Sequence, residues 1–213
     1  MTAEVLGIAA LSLRVALVAT LVACLLGIPL GVWLGSTAFA GRRMAVLLLN
    51  TALALPTVVV GLALYLLLSR HGPLGMLGML YTSGAIVIAE IVLAVPITAA
   101  LAAAAVQGLD PRVRRTALTL GAGPVRAAWA VAQEARLALA AASAVAFGRV
   151  LSEVGAALIV GGNIRFETRT LTTAVTLATS QGNFALALAL GLVLLALALA
   201  VNGLILLLGG HSR

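Results

Sequence analysis

The chain has 213 residues, of which 63% are hydrophobic and 9% charged, and its mean hydropathy is +1.21. A soluble domain carries about a quarter charged residues, so this composition excludes a water-facing globular surface and points to a lipid-facing one. The net charge of +7 comes from arginine alone, and without a P-loop or Schiff-base lysine the chain is excluded as a Walker-type ATPase.

Apolar runs appear in chain order, several of them long enough for the roughly 20 residues that a bilayer span requires. The first goes from Val5 to Leu34, with Arg14 inside it where its side chain can snorkel to an interface. The start, with Glu4 and no basic cluster, does not read as a signal peptide. After Arg42 and Arg43, the second run goes from Met44 to Leu68, and Pro56 is expected to kink or interrupt it. Ser69 to Pro73 reads as a turn, and Leu74 to Leu80 is too short to span. The third run covers Ser83 to Val106, with Glu90 and Pro96 inside. Gln107 to Arg136 is a polar stretch rich in arginine. The fourth run goes from Leu137 to Val160 and ends in Gly161-Gly162-Asn163. Leu171 to Ser180 is amphipathic and threonine-rich, and the fifth run goes from Phe184 to Leu208.

The expectation is therefore one all-α membrane domain over 1–213. Its five spans lie near 5–34, 44–68, 83–106, 137–160 and 184–208, with polar connections at 107–136 and 161–183. Arg42, Arg43, the arginines from Arg112 to Arg126, and Arg213 fall on one side of such a bundle; Arg70, Arg165 and Arg169 fall on the other. The positive-inside rule then puts the N-terminus outside and the C-terminus in the cytoplasm.

The basic balance does not indicate nucleic acid, because the arginines are scattered between apolar runs with few aromatics. Cys24 is the single cysteine, which excludes an internal disulfide or thiolate cluster, and it reads as a small buried hydrophobe. His71 and His211 are isolated near chain breaks, so no metal site is expected.

The richest stretch is Phe147 to Thr173, FGRVLSEVGAALIVGGNIRFETRTLTT. Arg149 and Glu153 sit four apart in an apolar run, so they can pair; charges placed there mark a substrate path or a structural contact in the bundle. Glu90 has no charged neighbour four residues away and must face the interior, a dimer seam or water. Gly61, Gly84, Gly148 and Gly155 read as close helix packing. Arg115-Thr116-Ala117-Leu118-Thr119-Leu120-Gly121-Ala122-Gly123 reads as a short amphipathic helix closed by glycines, either a docking element or an ordinary interfacial helix.

That segment resembles the cytoplasmic EAA loop of binding-protein-dependent ABC importer permeases. Arg115-Thr116-Ala117 stands where the family reads Glu-Ala-Ala, and Val131 to Glu134 stands where it reads Ile-x-Leu-Pro. Leu11 to Gly35 resembles the first helix of oxyanion permeases, and Leu55 to Gly75 their second helix and outer turn. Gly148 to Val175, with Ser-Glu-Val-Gly followed by Val-Gly-Gly-Asn, is similar to the molybdate and still more to the tungstate type. The resemblance implies a type I permease fold in a bacterial or archaeal cytoplasmic membrane and a homodimeric pore. It also implies a cytoplasmic ATPase dimer that holds the ATP and Mg, and an extracytoplasmic oxyanion-binding protein; no cofactor, metal or nucleic acid is expected in this chain.

It implies an ATPase-coupling loop at Arg115, Thr116, Ala117, Leu118, Gly121, Ala122 and Gly123. For a tetrahedral dianion the path is expected among Arg149, Ser152, Glu153, Gly161, Gly162, Asn163, Arg165, Thr168, Arg169 and Thr170, with Thr172 and Thr173 as further hydroxyls. Arginines, hydroxyls and backbone N–H groups at the glycines are the donors a dianion needs. Arg165 and Arg169 equally suit docking of an acidic binding protein. Other oxyanions such as sulfate or phosphate, a stand-alone secondary transporter, a channel and a membrane enzyme are the remaining readings. The secondary transporter would favour internal symmetry between halves, and the enzyme a catalytic cluster in the spans; neither is found in the sequence.

Overall fold

The computed structural model describes residues 2–210, and among these every regular element is helical. His211 and Arg213 lie outside the described residues, and with them the expected placement of Arg213 beside the other arginine-rich loops. Ten α-helices follow in order: α1 Thr2–Ser36, α2 Arg42–Leu53, α3 Thr57–Leu68, α4 Ser83–Gln107, α5 Arg112–Thr119, α6 Pro124–Glu134, α7 Arg136–Leu151, α8 Gly155–Gly161, α9 Leu171–Ser180 and α10 Phe184–Gly210. A single 3-10 turn, Gly75–Leu77, lies between α3 and α4.

The axis of the bundle is the pairing of α1 with α4, the most extensive helix–helix contact. It is possible because Gly27, Gly31 and Gly35 recur every fourth residue on one face of α1. A Cβ at Gly31 would lie 2.6 Å from the Ala102 side chain, and one at Gly35 would lie 2.8 Å from Val106 Cβ. Small residues let membrane helix backbones approach this closely. On α4 the facing residues Ala99 and Ala102 are fully buried, and so is Thr98. The Thr98 hydroxyl reaches carbonyls on both helices, at 3.0 Å from Ala23 O and 3.1 Å from Ala94 O. Pro29 and Pro96 lie inside α1 and α4 without ending them.

Three of the expected runs are continuous helices long and apolar enough to cross a membrane: α1, α4 and α10. The other two are broken. The second run divides at Pro56, which caps α3, so that α2 and α3 meet at 96°. The stretch around the fourth bends by 75° between α6 and α7, and α7 itself stops at Leu151, before α8. Counting each bent pair as one span gives five. The interruption after Leu151 has a local cause. Ser152 turns its hydroxyl back to Arg149 O at 3.0 Å, and Glu153 Oε1 accepts the Ala156 N–H of α8 at 3.1 Å, so backbone groups freed by the break are met inside the protein.

The remaining helices wrap this axis. Phe147 and Val150 of α7 pack between α1, α4 and α10, and Ala156, Ala157 and Val160 of α8 pack with Val15, Leu68 and Ile86. Gly61 and Gly155 hold the α3–α8 approach as close packing requires: their Cβ positions lie 2.8 Å from Ala156 Cα and Val58 Cγ2 respectively. Gly84 and Gly148 do not share this tightness, with nearest atoms at 3.2 and 3.6 Å. Cys24 is half-buried, and its thiol donates to Ser143 Oγ across α1 and α7 at 3.3 Å. Arg14 is exposed on α1.

The α1–α4 seam sets a clear expectation. Gly31→Leu inserts a side chain where α4 backbone already stands, so the seam must part; overpacking alone costs about 1–3 kcal/mol, and a backbone obstacle exceeds that. Thermal unfolding in detergent should show a large loss for Gly31→Leu and little change for Gly191→Leu, where a Cβ meets nothing within 4 Å. Equal melting temperatures for the two variants contradict the seam.

Candidate functional site

The expected path residues separate into three groups. The first is a charged cluster inside the bundle. Arg149 Nη1 donates to Glu153 Oε2 at 2.8 Å, with Glu153 3% exposed and Arg149 44% exposed at their side chains. Glu90, from α4, joins them: it lines the same small cavity of about 10 Å³ with Arg149 and Glu153. Its carboxyl is buried, and Oε2 has no partner among the described residues. The sequence left Glu90 a choice of interior, seam or water; the tertiary fold places it inside, against the break between α7 and α8. That neighbourhood was not legible from spacing, because α4 and α7 are distant in sequence.

The second group is a lock rather than a donor array. The Thr168 hydroxyl donates to Gly161 O at 2.5 Å and accepts the Ile164 N–H at 2.9 Å. Thr170 and Thr173 form a reciprocal cap at the start of α9. Thr172 donates to Glu153 O at 2.7 Å. All four are buried. Each of these hydroxyls is engaged by a backbone carbonyl or by a neighbouring threonine. Ser12, unnoticed in the sequence, completes the lock by accepting the Leu171 N–H at 2.7 Å, which ties α9 to α1. Its only sequence signal is a hydroxyl in an apolar run, which Thr20 shares.

The third group is the exposed loop. Gly162 and Asn163 both take left-handed backbone, at φ 70° and 51°. Glycine is needed at 162 for a second reason, since a Cβ there would lie 2.8 Å from the Tyr81 ring. Gly161 is buried and packs on Ile86. Arg165 makes a two-pronged pair with Glu4 at 2.7 and 2.8 Å and stacks 4.7 Å over the Phe166 ring. The Glu4 carboxylate, through its hydrogen bonds first and its charge second, raises the Arg165 guanidinium above its ordinary range. Arg169 holds Asn163 through Nε to Oδ1 at 3.3 Å, and it faces a cavity of about 130 Å³ that Glu4 also lines. Ser152 and Glu167 are exposed.

The expected coupling segment forms α5 and its exit turn. Arg115, Thr116, Ala117 and Leu118 lie on α5. Asp110 Oδ1 accepts the Arg112 N–H at 2.8 Å and so caps its start. At its end the Gly121 N–H donates to Leu118 O and the Ala122 N–H to Ala117 O, both at 3.0 Å. This is the paired closure that left-handed glycine allows, and Gly121 has φ 84°. Gly123 then leads into α6, with Pro124 in its first turn. Arg115, Leu118 and Leu120 are all exposed around this turn.

The profile of the family described as binding-protein-dependent transport system inner membrane component matches residues 27–211. The chain belongs to that family. A probable anion ABC transporter permease protein of Haloferax volcanii is 40% identical over 83% of this chain and 78% of its own length. The tungstate uptake system permease protein TupB of Peptoclostridium acidaminophilum is 37% identical over 93% of this chain and 87% of its own. The molybdenum transport system permease protein ModB of Escherichia coli is 32% identical over 81% and 79%. The crystal structure of an amino acid ABC transporter with histidines matches with a TM-score of 0.68 over 98% of this chain and 94% of that one, at 18% identity, which is a likeness of fold.

For an inner membrane transport component, a buried acidic pair beside one arginine is a demanding arrangement. Breaking a buried pair costs about 3–5 kcal/mol; partial exposure of Arg149 reduces this, and roughly 2 kcal/mol is expected for Arg149→Gln, which strands Glu153 beside Glu90. Ser152→Ala removes only an exposed hydroxyl and should change stability by less than about 0.5 kcal/mol. Thermal unfolding of the two variants in detergent checks the contrast, and equal melting temperatures would remove the cluster's structural weight.

Proposed function

We propose that this chain is the membrane-spanning subunit of an ATP-driven importer for a tetrahedral oxyanion, tungstate first and molybdate second. The observation that carries the reading is the 37% identity to a tungstate uptake permease over 93% of the chain. The Ser152-Glu153-Val154-Gly155 and Val160-Gly161-Gly162-Asn163 stretches lie within the segment that resembles that type. Molybdate is second because the ModB relative is less similar and covers less of the chain.

In this reading two copies form the pore, and a separate ATPase dimer, which holds ATP and Mg, docks on the arginine-rich loop from Arg115 to Gly123. A binding protein delivers the ion on the opposite face. The N-terminus is outside and the C-terminus is in the cytoplasm. The ion is guided by Arg169 and by Arg165 when it leaves Glu4, with Gly161, Gly162 and Asn163 shaping the turn beside them, since the Gly162 N–H is already donated to Leu158 O. Support for Arg169 comes from the cavity it faces and from its charge, since the buried threonines are otherwise engaged. The Arg149–Glu153 pair keeps a bare carboxylate from repelling the ion.

Uptake of labelled tungstate by cells or vesicles carrying the complete transporter tests the substrate. Wild type should accumulate tungstate, with unlabelled molybdate competing better than sulfate. Arg169→Ala should lower uptake by about ten-fold, the lower end of a charge-assisted hydrogen bond, with docking of the binding protein unchanged. Arg165→Ala should lower it less, because that guanidinium is already paired. Transport of a cation or a sugar in place of both oxyanions sinks the assignment, whereas loss of docking alone in the arginine variants moves them to the binding-protein interface.

Orientation has its own check. Starting from Cys24→Ser, single cysteines at Phe166 and Thr119 are both on exposed positions. An impermeant thiol reagent added outside intact cells should label the first and spare the second. The reverse pattern inverts the topology.

A further inference from the structure

Between the last turns of α1 and the face of α6 lies a groove of about 430 Å³. Its walls include Ile28, Pro29, Val32 and Trp33 on one side and Ala128 and Trp129 on the other. These are the only two tryptophans in the chain, and both are exposed, at 49% and 66%. Toward the end of α1 the lining turns polar through Ser36, Thr37 and Arg114. Arg114, on α5, is half-buried and makes no hydrogen bond or ion pair among the described residues. The nearby carboxylate, Asp110, is engaged with Arg112.

We infer that this groove is a binding site for an anionic glycerophospholipid, with an acyl chain along Ile28 to Trp33 and the phosphate against Arg114. The argument rests on the gradient along the groove and on charge. Over the last eight residues of α1, roughly 12 Å of rise, the lining passes from aliphatic to hydroxyl to guanidinium. That is the sequence of layers a phospholipid presents from tail to headgroup. Tryptophan rings favour this boundary because they are apolar with one polar edge. A basic residue at the boundary selects negative headgroups. Because Arg114 belongs to the proposed coupling helix, the lipid would brace α5 against α1. The inference requires only that the chain sits in a membrane and is independent of the ion carried.

The tryptophans supply the test. The full chain is reconstituted in phosphatidylcholine vesicles, and a minor fraction of lipid with brominated acyl chains is added, which quenches tryptophan on contact. Brominated phosphatidylglycerol should quench more strongly than brominated phosphatidylcholine at the same mole fraction, with an apparent preference of about five-fold, the factor expected for one arginine near an anionic surface. Salt should reduce the preference. Arg114→Gln should abolish it and Arg114→Lys should retain it. Equal quenching by both lipids in wild type overturns the proposal without recourse to any variant, and so does a preference that survives in Arg114→Gln. Absence of quenching by either lipid means that a second copy of the chain covers the groove, and that outcome also overturns it.

Discussion

The close approach of α1 to α4 governs the rest of the molecule. Lipid supplies no hydrophobic drive for helices to associate, so contact area and hydrogen bonds must do so. Gly27, Gly31 and Gly35 leave no side chain at three successive contact positions in the last turns of α1, and α4 answers with Ala99, Ala102 and Thr98. The remaining helices take their places from this pair. Phe147 of α7 fills the groove beside Ala16, Ala19 and Ala94, and Val131 of α6 closes the far end against Val32 and Val106. Glu90 is held in the interior because α4 is fixed there.

Against this rigid pair stand the broken elements. The chain bends at Pro56, at Ala135 and again after Leu151. Backbone groups exposed by a break in a membrane must find partners within the protein. Glu153 illustrates the solution: one carboxylate oxygen takes an N–H of α8, the other meets Arg149, and its carbonyl accepts from Thr172. A residue that would be read as a transport charge thus also holds three elements together. The threonine-rich start of α9 plays the complementary part through Thr168, Thr170 and Ser12. The outcome is a loop anchored at its base and open at Arg165, Phe166 and Glu167, the geometry expected of a surface that meets partners or solutes.

The arginine-rich side is organised differently. Here α5 and α6 are short, amphipathic and joined by a glycine closure at Gly121. They pack on the ends of α1 and α4 rather than between them. A groove remains beside them, between Trp33 of α1 and Trp129 of α6.

Composition alone determined that this is a membrane protein, since a chain with 9% charged residues has no means of covering itself in water. The length of the apolar runs made α1, α4 and α10 legible, and glycine placement the closure of α5 at Gly121, because those depend on residues adjacent in sequence. The glycine seam on α1 was present as a four-residue spacing and went unread beside the glycines at 61, 84, 148 and 155, of which two proved tight. The sequence also carried the family, through the stretch from Gly148 to Val175. Tertiary structure alone decided the company of the charges: Glu90 beside Arg149 and Glu153, Arg165 with Glu4, and Arg114 without a partner among the described residues. It decided as well that the threonines of the loop are buried and engaged. The physical reason is the same in each case. Whether a polar group is free or satisfied depends on which helix faces it, and a face is set by packing between segments that the linear order keeps far apart.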